Sequence, residues 1–102
     1  MKIVTHSDET PVRLELHGKL IGKAAGAVHD AVETVVAKGG QHIELDLHAL
    51  AVVDSAGLEA LLACHERCAA AGGRCTLTGV SGKIERILRI TRLDRELEFV
   101  PG

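Results

Sequence analysis

The chain has 102 residues, 46% of them hydrophobic and 25% charged, with a formal net charge of −2. That length holds one domain, residues 1–102, and folding it buries roughly two-thirds of the unfolded surface, enough for a core without disulfide or metal staples. Phe99 stands alone among Phe, Tyr and Trp, and there is no basic excess, so base-stacking and phosphate-tracking nucleic-acid modules are excluded.

Ile3-Val4-Thr5 reads as a short strand, and Val12 to His17 alternates apolar and polar residues as a half-buried strand does. The turn-forming stretch Ser7-Asp8-Glu9-Thr10-Pro11 between them predicts a hairpin. From Lys23 to Lys38 the period changes. Ala24, Ala27, Val28, Ala31, Val32, Val35 and Val36 recur at three- and four-residue spacing, an amphipathic helix stopped by Gly39-Gly40. Ile43, Leu45 and Leu47 alternate with Glu44 and Asp46 as another strand, and Ala51-Val52-Val53 is an apolar shoulder leading into Asp54-Ser55. The strongest helix follows, with Leu58, Leu61, Leu62, His65 and Cys68 or Ala69 on one face and Gly72-Gly73 at its end. Cys75 to Thr78 is a strand, Ile84, Ile87 and Leu88 mark a third helix starting near Ser81-Gly82, and Leu97 with Phe99 suggest a last short strand. The predicted fold class is α/β (or α+β): a mixed sheet of four to five strands packed with three or more helices.

Three cysteines are too few, and odd in number, for a secreted disulfide framework. Acidic residues at Asp8 and Glu9 precede any leader-like apolar stretch, and no run approaches the roughly 20 apolar residues of a membrane span. The expectation is a cytoplasmic protein with no direct membrane insertion.

The turn Asp54-Ser55-Ala56-Gly57-Leu58 opens the strongest helix. Asp or Ser at such a place caps the first free backbone N–H groups. The same geometry suits a switch, because a phosphate on a first-turn serine meets the positive end of the helix and adds nearly two charges to an exposed surface. Gly57 removes a side chain where the backbone of a partner or substrate needs close approach.

With Asp46-Leu47 at a strand end, Val53-Asp54-Ser55-Ala56-Gly57-Leu58, Gly72-Gly73 before a strand, and the tail Val80-Ser81-Gly82-Lys83-Ile84-Glu85-Arg86-Ile87-Leu88, nearly the whole chain resembles a STAS domain. It resembles in particular the anti-sigma factor antagonists of bacteria. The resemblance implies that Ser55 is phosphorylated by an anti-sigma factor that is a serine protein kinase. The unphosphorylated chain then holds that partner, the phosphorylated chain releases it, and a serine phosphatase restores binding. Asp54, Ser55, Ala56 and Gly57 would form the partner-binding turn. ATP and metal would belong to the kinase, so no cofactor and no catalytic activity are expected of this chain.

One departure bears on that cycle. The family commonly carries Gly-Glu-Leu-Asp or Gly-Asp-Leu-Asp after the second strand, whereas this chain has Gly18-Lys19-Leu20-Ile21. Lys19 and Ile21 therefore place a cation and an apolar group where the resemblance implies carboxylates, on the partner-binding face. An alternative reading is a STAS subunit of a bacterial lipid-transport ABC complex, bound to its ATPase subunit. A further alternative, a module holding a free nucleotide phosphate at the Ser55–Gly57 turn, lacks the glycine-rich loop and lysine of a P-loop.

Other clusters read as structural. Cys64, Cys68 and Cys75 lack the second Cys pair of a zinc site, and the histidines at 6, 17, 29, 42, 48 and 65 have no ligating spacing, so no metal is expected. His48 lies shortly before the Ser55 turn and could share its surface. No nucleophile elbow surrounds Ser55. Arg86, Arg89, Arg92 and Arg95 recur every three residues, a pattern of a solvated face or of one that meets an acidic partner.

Overall fold

The alternating segment from Val12 becomes the strand around which the sheet is organised, in a computed structural model that describes residues 1–102. β1 (Lys2–His6) pairs antiparallel with β2 (Val12–Leu20), as the hairpin pattern predicts. On its other side β2 pairs parallel with β3 (His42–Asp46), which pairs with β5 (Arg74–Val80), which pairs with β6 (Glu98–Pro101). Helices α1 (Ala24–Ala37), α2 (Ser55–Ala70) and α3 (Gly82–Ile90) make the crossovers. Successive parallel strands step in one direction across the sheet, and right-handed crossovers in one direction put all the helices on one face.

Burial follows. Leu14, Leu16, Ile43, Leu45, Leu47, Cys75 and Leu77 point at the helices and are closed off, together with Val28 and Val32 of α1, Leu61, Cys64 and Cys68 of α2, and Ile84 and Leu88 of α3. Their neighbours in sequence form an open polar face. There Arg13 contacts Glu15 at 3.0 Å and Asp46 at 3.2 Å, and His6 and His17 both pair with Glu15.

The sheet has six strands instead of the four or five expected. The additional one is the apolar shoulder: Leu50–Val53 is β4, paired parallel with Gly18–Leu20. The cause lies in β2, which continues past His17. Gly18, at φ 98°, adopts a conformation that L side chains rarely take, and the pairing shifts register there, so the outer half of β2 exchanges β3 for β4. A 3₁₀ turn at Leu93–Arg95 between α3 and β6 is also new. Leu97 is buried just before β6, on which Phe99 sits half-buried.

Candidate functional site at the start of α2

The sequence left two residues able to cap α2, and the backbone selects Asp54. It stands in extended conformation (φ −106°, ψ −173°) as N-cap, and its Oδ1 accepts from the Gly57 N–H at 2.9 Å. Its second oxygen, Oδ2, accepts from the Gly22 N–H at 3.0 Å, and its own N–H donates to the Leu20 carbonyl at 3.3 Å. One carboxylate thus ties the helix start to the loop leaving β2. The hydrogen bonds from Gly57 and then Gly22 hold the Asp54 carboxyl below the usual carboxylate range.

Ser55 is the first residue of the helix, exposed, and its hydroxyl makes no hydrogen bond within the chain. Ser81 at the start of α3 shows the contrast. There the hydroxyl is the cap, accepting from the Ile84 N–H at 3.2 Å. Asp54 takes that duty at α2, so the Ser55 hydroxyl is free for other use.

Gly57 has a different role from the one its sequence suggests. It is buried, and a Cβ there would stand 2.3 Å from the Leu20 carbonyl oxygen and 2.7 Å from Val53 Cγ2. The backbone that approaches it is this chain's own. Ala56 is half-buried beside it.

The structure brings Lys19 and Ile21 to this same end of the molecule, through β2's pairing with β4 and the Gly22–Asp54 hydrogen bond. Lys19 is exposed opposite Val52, and Ile21 and Val52 are 40% and 37% exposed, large apolar residues left in water beside the helix start. Neither Lys19 nor Lys23 forms an ion pair. Sequence reading missed Leu20, Gly22 and Val52. The signal available for Gly22 was its place directly after Ile21, but nothing local says that its N–H reaches a carboxylate 32 residues away.

His48 sits on the open sheet face. Its backbone N–H and Nδ1 lie 3.1 and 2.7 Å from Asp46 Oδ1, and its ring meets that of His17 edge-on at 5.9 Å. Desolvation pushes the Asp46 carboxyl up, but the His48 hydrogen bonds and the Arg13 contact outweigh it and hold the group low. Cys64, Cys68 and Cys75 are buried in the core, and burial pushes the Cys64 thiol up to about 12, well away from reactivity. His65, expected on the apolar face of α2, is half-buried, with its Nδ1 enclosed and unpartnered. A groove of about 740 Å³ lies at the opposite end of the parallel strands, between the β1–β2 turn and the end of α1, lined in part by Pro11, Val12, Val35 and Lys38. It is remote from Ser55.

The depressed Asp54 carboxyl gives the fold a pH signature. Its stabilising contribution is complete above the unfolded pKa near 4 and disappears as pH falls through the lower folded value. Thermal melts of Asp54→Ala and wild type are expected to differ most above about pH 5 and to converge as pH falls below about 4. Equal separation at all pH values would contradict the capping role.

A family model described as "Mlab, STAS domain" matches residues 3–101. No curated protein matches the chain. Among solved structures, an anti-sigma factor antagonist from Mycobacterium paratuberculosis superposes with a TM-score of 0.84 at 22% identity, covering 99% of this chain and 86% of that one. The Bacillus cell fate determinant SpoIIAA in the phosphorylated form gives 0.74 at 18% identity, covering 99% and 93%. A sulfate transporter family protein from Wolinella succinogenes gives 0.69 at 24% identity, covering 85% and 74%. At these identities the three likenesses speak for the fold.

Proposed function

The chain belongs to the STAS domain family, and from that footing we propose that it is an anti-sigma factor antagonist-like regulator, acting in the cytoplasm by protein–protein binding and switched off by phosphorylation at Ser55. Its partner is an anti-sigma factor with serine kinase activity, and a serine phosphatase reverses the modification. The chain is the substrate of that cycle and not itself an enzyme. The observation that carries the reading is the free Ser55 hydroxyl beside a cap supplied wholly by Asp54. A phosphate on Ser55 breaks no internal hydrogen bond, and it sits at the positive end of α2, so the fold tolerates it. At a partner interface the same dianion must lose water and meet whatever carboxylates the partner presents, which drives release. Asp54 acts by holding the turn in place, while Ser55, Ala56, Lys19 and Ile21 present the binding surface, with Gly57 letting the helix start sit against β2.

A second reading, a STAS subunit of a lipid-transport ABC complex bound to its ATPase, is favoured by Lys19, Ile21 and Val52. A cationic and apolar rim suits a lasting partner better than a kinase that must also let go. A protein named for a sulfate transporter family has the same fold, which agrees with this reading.

Paired affinity capture from native lysate with wild type and Ser55→Asp as baits, read by mass spectrometry, separates the two. A serine kinase or anti-sigma factor held by wild type and lost by the variant is the expected result. A transporter ATPase held by both would replace the switch with the transport reading.

A further inference from the structure

The arginine repeat noted in the sequence becomes a surface that the Ser55 turn does not use. Lys83, Arg86 and Ile90 lie at i, i+3 and i+7, one row along the outer side of α3, with Arg89 on its flank. Arg92 and Arg95 continue the run through the following turn, and all five cations are exposed. Arg89 is paired, to Glu85 at 3.1 Å, while Lys83, Arg86, Arg92 and Arg95 form no ion pair. Ile90, 72% exposed, is the most exposed large hydrophobic side chain of the molecule and stands beside these cations. The inner side of α3 is closed into the core through Ile84 and Leu88, so this outer side is the one left for a partner.

A separate feature supports the assignment. Arg92 holds a left-handed backbone (φ 64°, ψ 15°) directly after the helix, the position where glycine is the usual choice. A left-handed backbone at a residue other than glycine is disfavoured, so the arginine holds this place at some cost to the fold.

We propose that the Lys83–Arg86–Ile90 face of α3, extended by Arg92, docks an acidic amphipathic helix of a partner protein. The chain as a whole is net negative, so this positive strip runs against its overall charge and is local in its complementarity. Cations one turn apart match carboxylates one turn apart on a second helix, and an apolar residue of that helix covers Ile90. A bilayer fits less well. Glu85, Asp94 and Glu96 stand among the cations and would face a continuous anionic sheet, whereas a helix presents discrete charges that can avoid them. One Ile also gives little to insert, since the rest of the apolar side of α3 is already buried.

The test is an amide-shift NMR titration of the ¹⁵N-labelled full chain with a synthetic peptide helix carrying Glu one turn apart and Leu along one side. Sedimentation with phosphatidylglycerol vesicles runs in parallel. Expected are shift changes confined to α3 and the turn after it, a loss of about tenfold in affinity for Arg86→Glu, and weakening as salt rises. Ile90→Ser is expected to weaken binding several-fold with the salt dependence unchanged, which assigns the apolar part. Circular dichroism of both variants should match wild type, since each side chain is exposed. Ser55→Asp should leave the titration untouched, so this proposal and the switch stand or fall separately. Shift changes centred elsewhere, no binding, or indifference to Arg86→Glu would overturn the assignment. Vesicle binding in place of peptide binding would give the face to a membrane.

Discussion

Gly57→Ala is expected to destabilise the fold by about 3 kcal/mol. The added methyl would stand 2.3 Å from the Leu20 carbonyl oxygen, and 2.7 and 2.9 Å from side-chain atoms of Val53 and Leu20. A backbone oxygen within the β2–β4 pairing cannot swing away as a flexible side chain can, so the start of α2 must retreat from β2. Retreat pulls on the Asp54 hydrogen bonds to Gly22 and Gly57, and with them on the position of Ser55. Gly82→Ala is the control. It also lies in the first turn of a helix, a Cβ there meets nothing within 4 Å, and it should be neutral or stabilising by under about 1 kcal/mol. Urea unfolding of both variants checks the pair, and a Gly57→Ala cost below about 1 kcal/mol would mean that the contact with Leu20 is slack.

The second large effect is on binding. Ser55→Asp is expected to change stability by less than about 1 kcal/mol, because an anion on the first turn of a helix is tolerated. It is expected to weaken the captured anti-sigma partner by about a hundredfold or more, as charge placed in a packed interface does. Titration calorimetry against that partner, beside a melt of the same variant, reads both quantities. A large stability loss would make Ser55 structural, and unchanged affinity would take the turn out of the interface.

These two expectations divide what was readable from sequence from what was not. The alternation of Val12–His17 and Ile43–Leu47 and the three- and four-residue spacing in α1 and α2 report burial directly, so those elements and the inward set of Leu14, Leu16, Leu45 and Leu61 were legible. β4 was not. Only three of its residues pair, and Ala51 and Val52 are both exposed, so no alternation marks it. Its existence depends on Gly18 turning β2 toward a second partner, a non-local event. The site divides the same way. Asp54-Ser55 announces a helix start, but both residues cap helices well, and their backbone angles decide which one does. Which backbone crowds Gly57 is likewise settled by where β2 ends, far away in the chain.

The claim at the centre is that Ser55 carries a reversible phosphate on a turn built without its help. Fragment-ion mass spectrometry of the chain isolated with its modifications preserved, beside the Ser55→Ala variant, addresses it directly. The account predicts one phosphoryl group on Ser55, absent from the variant, in the fraction that no longer holds its partner. Ser55 unmodified in that released fraction, or the phosphate residing on another side chain, would contradict it.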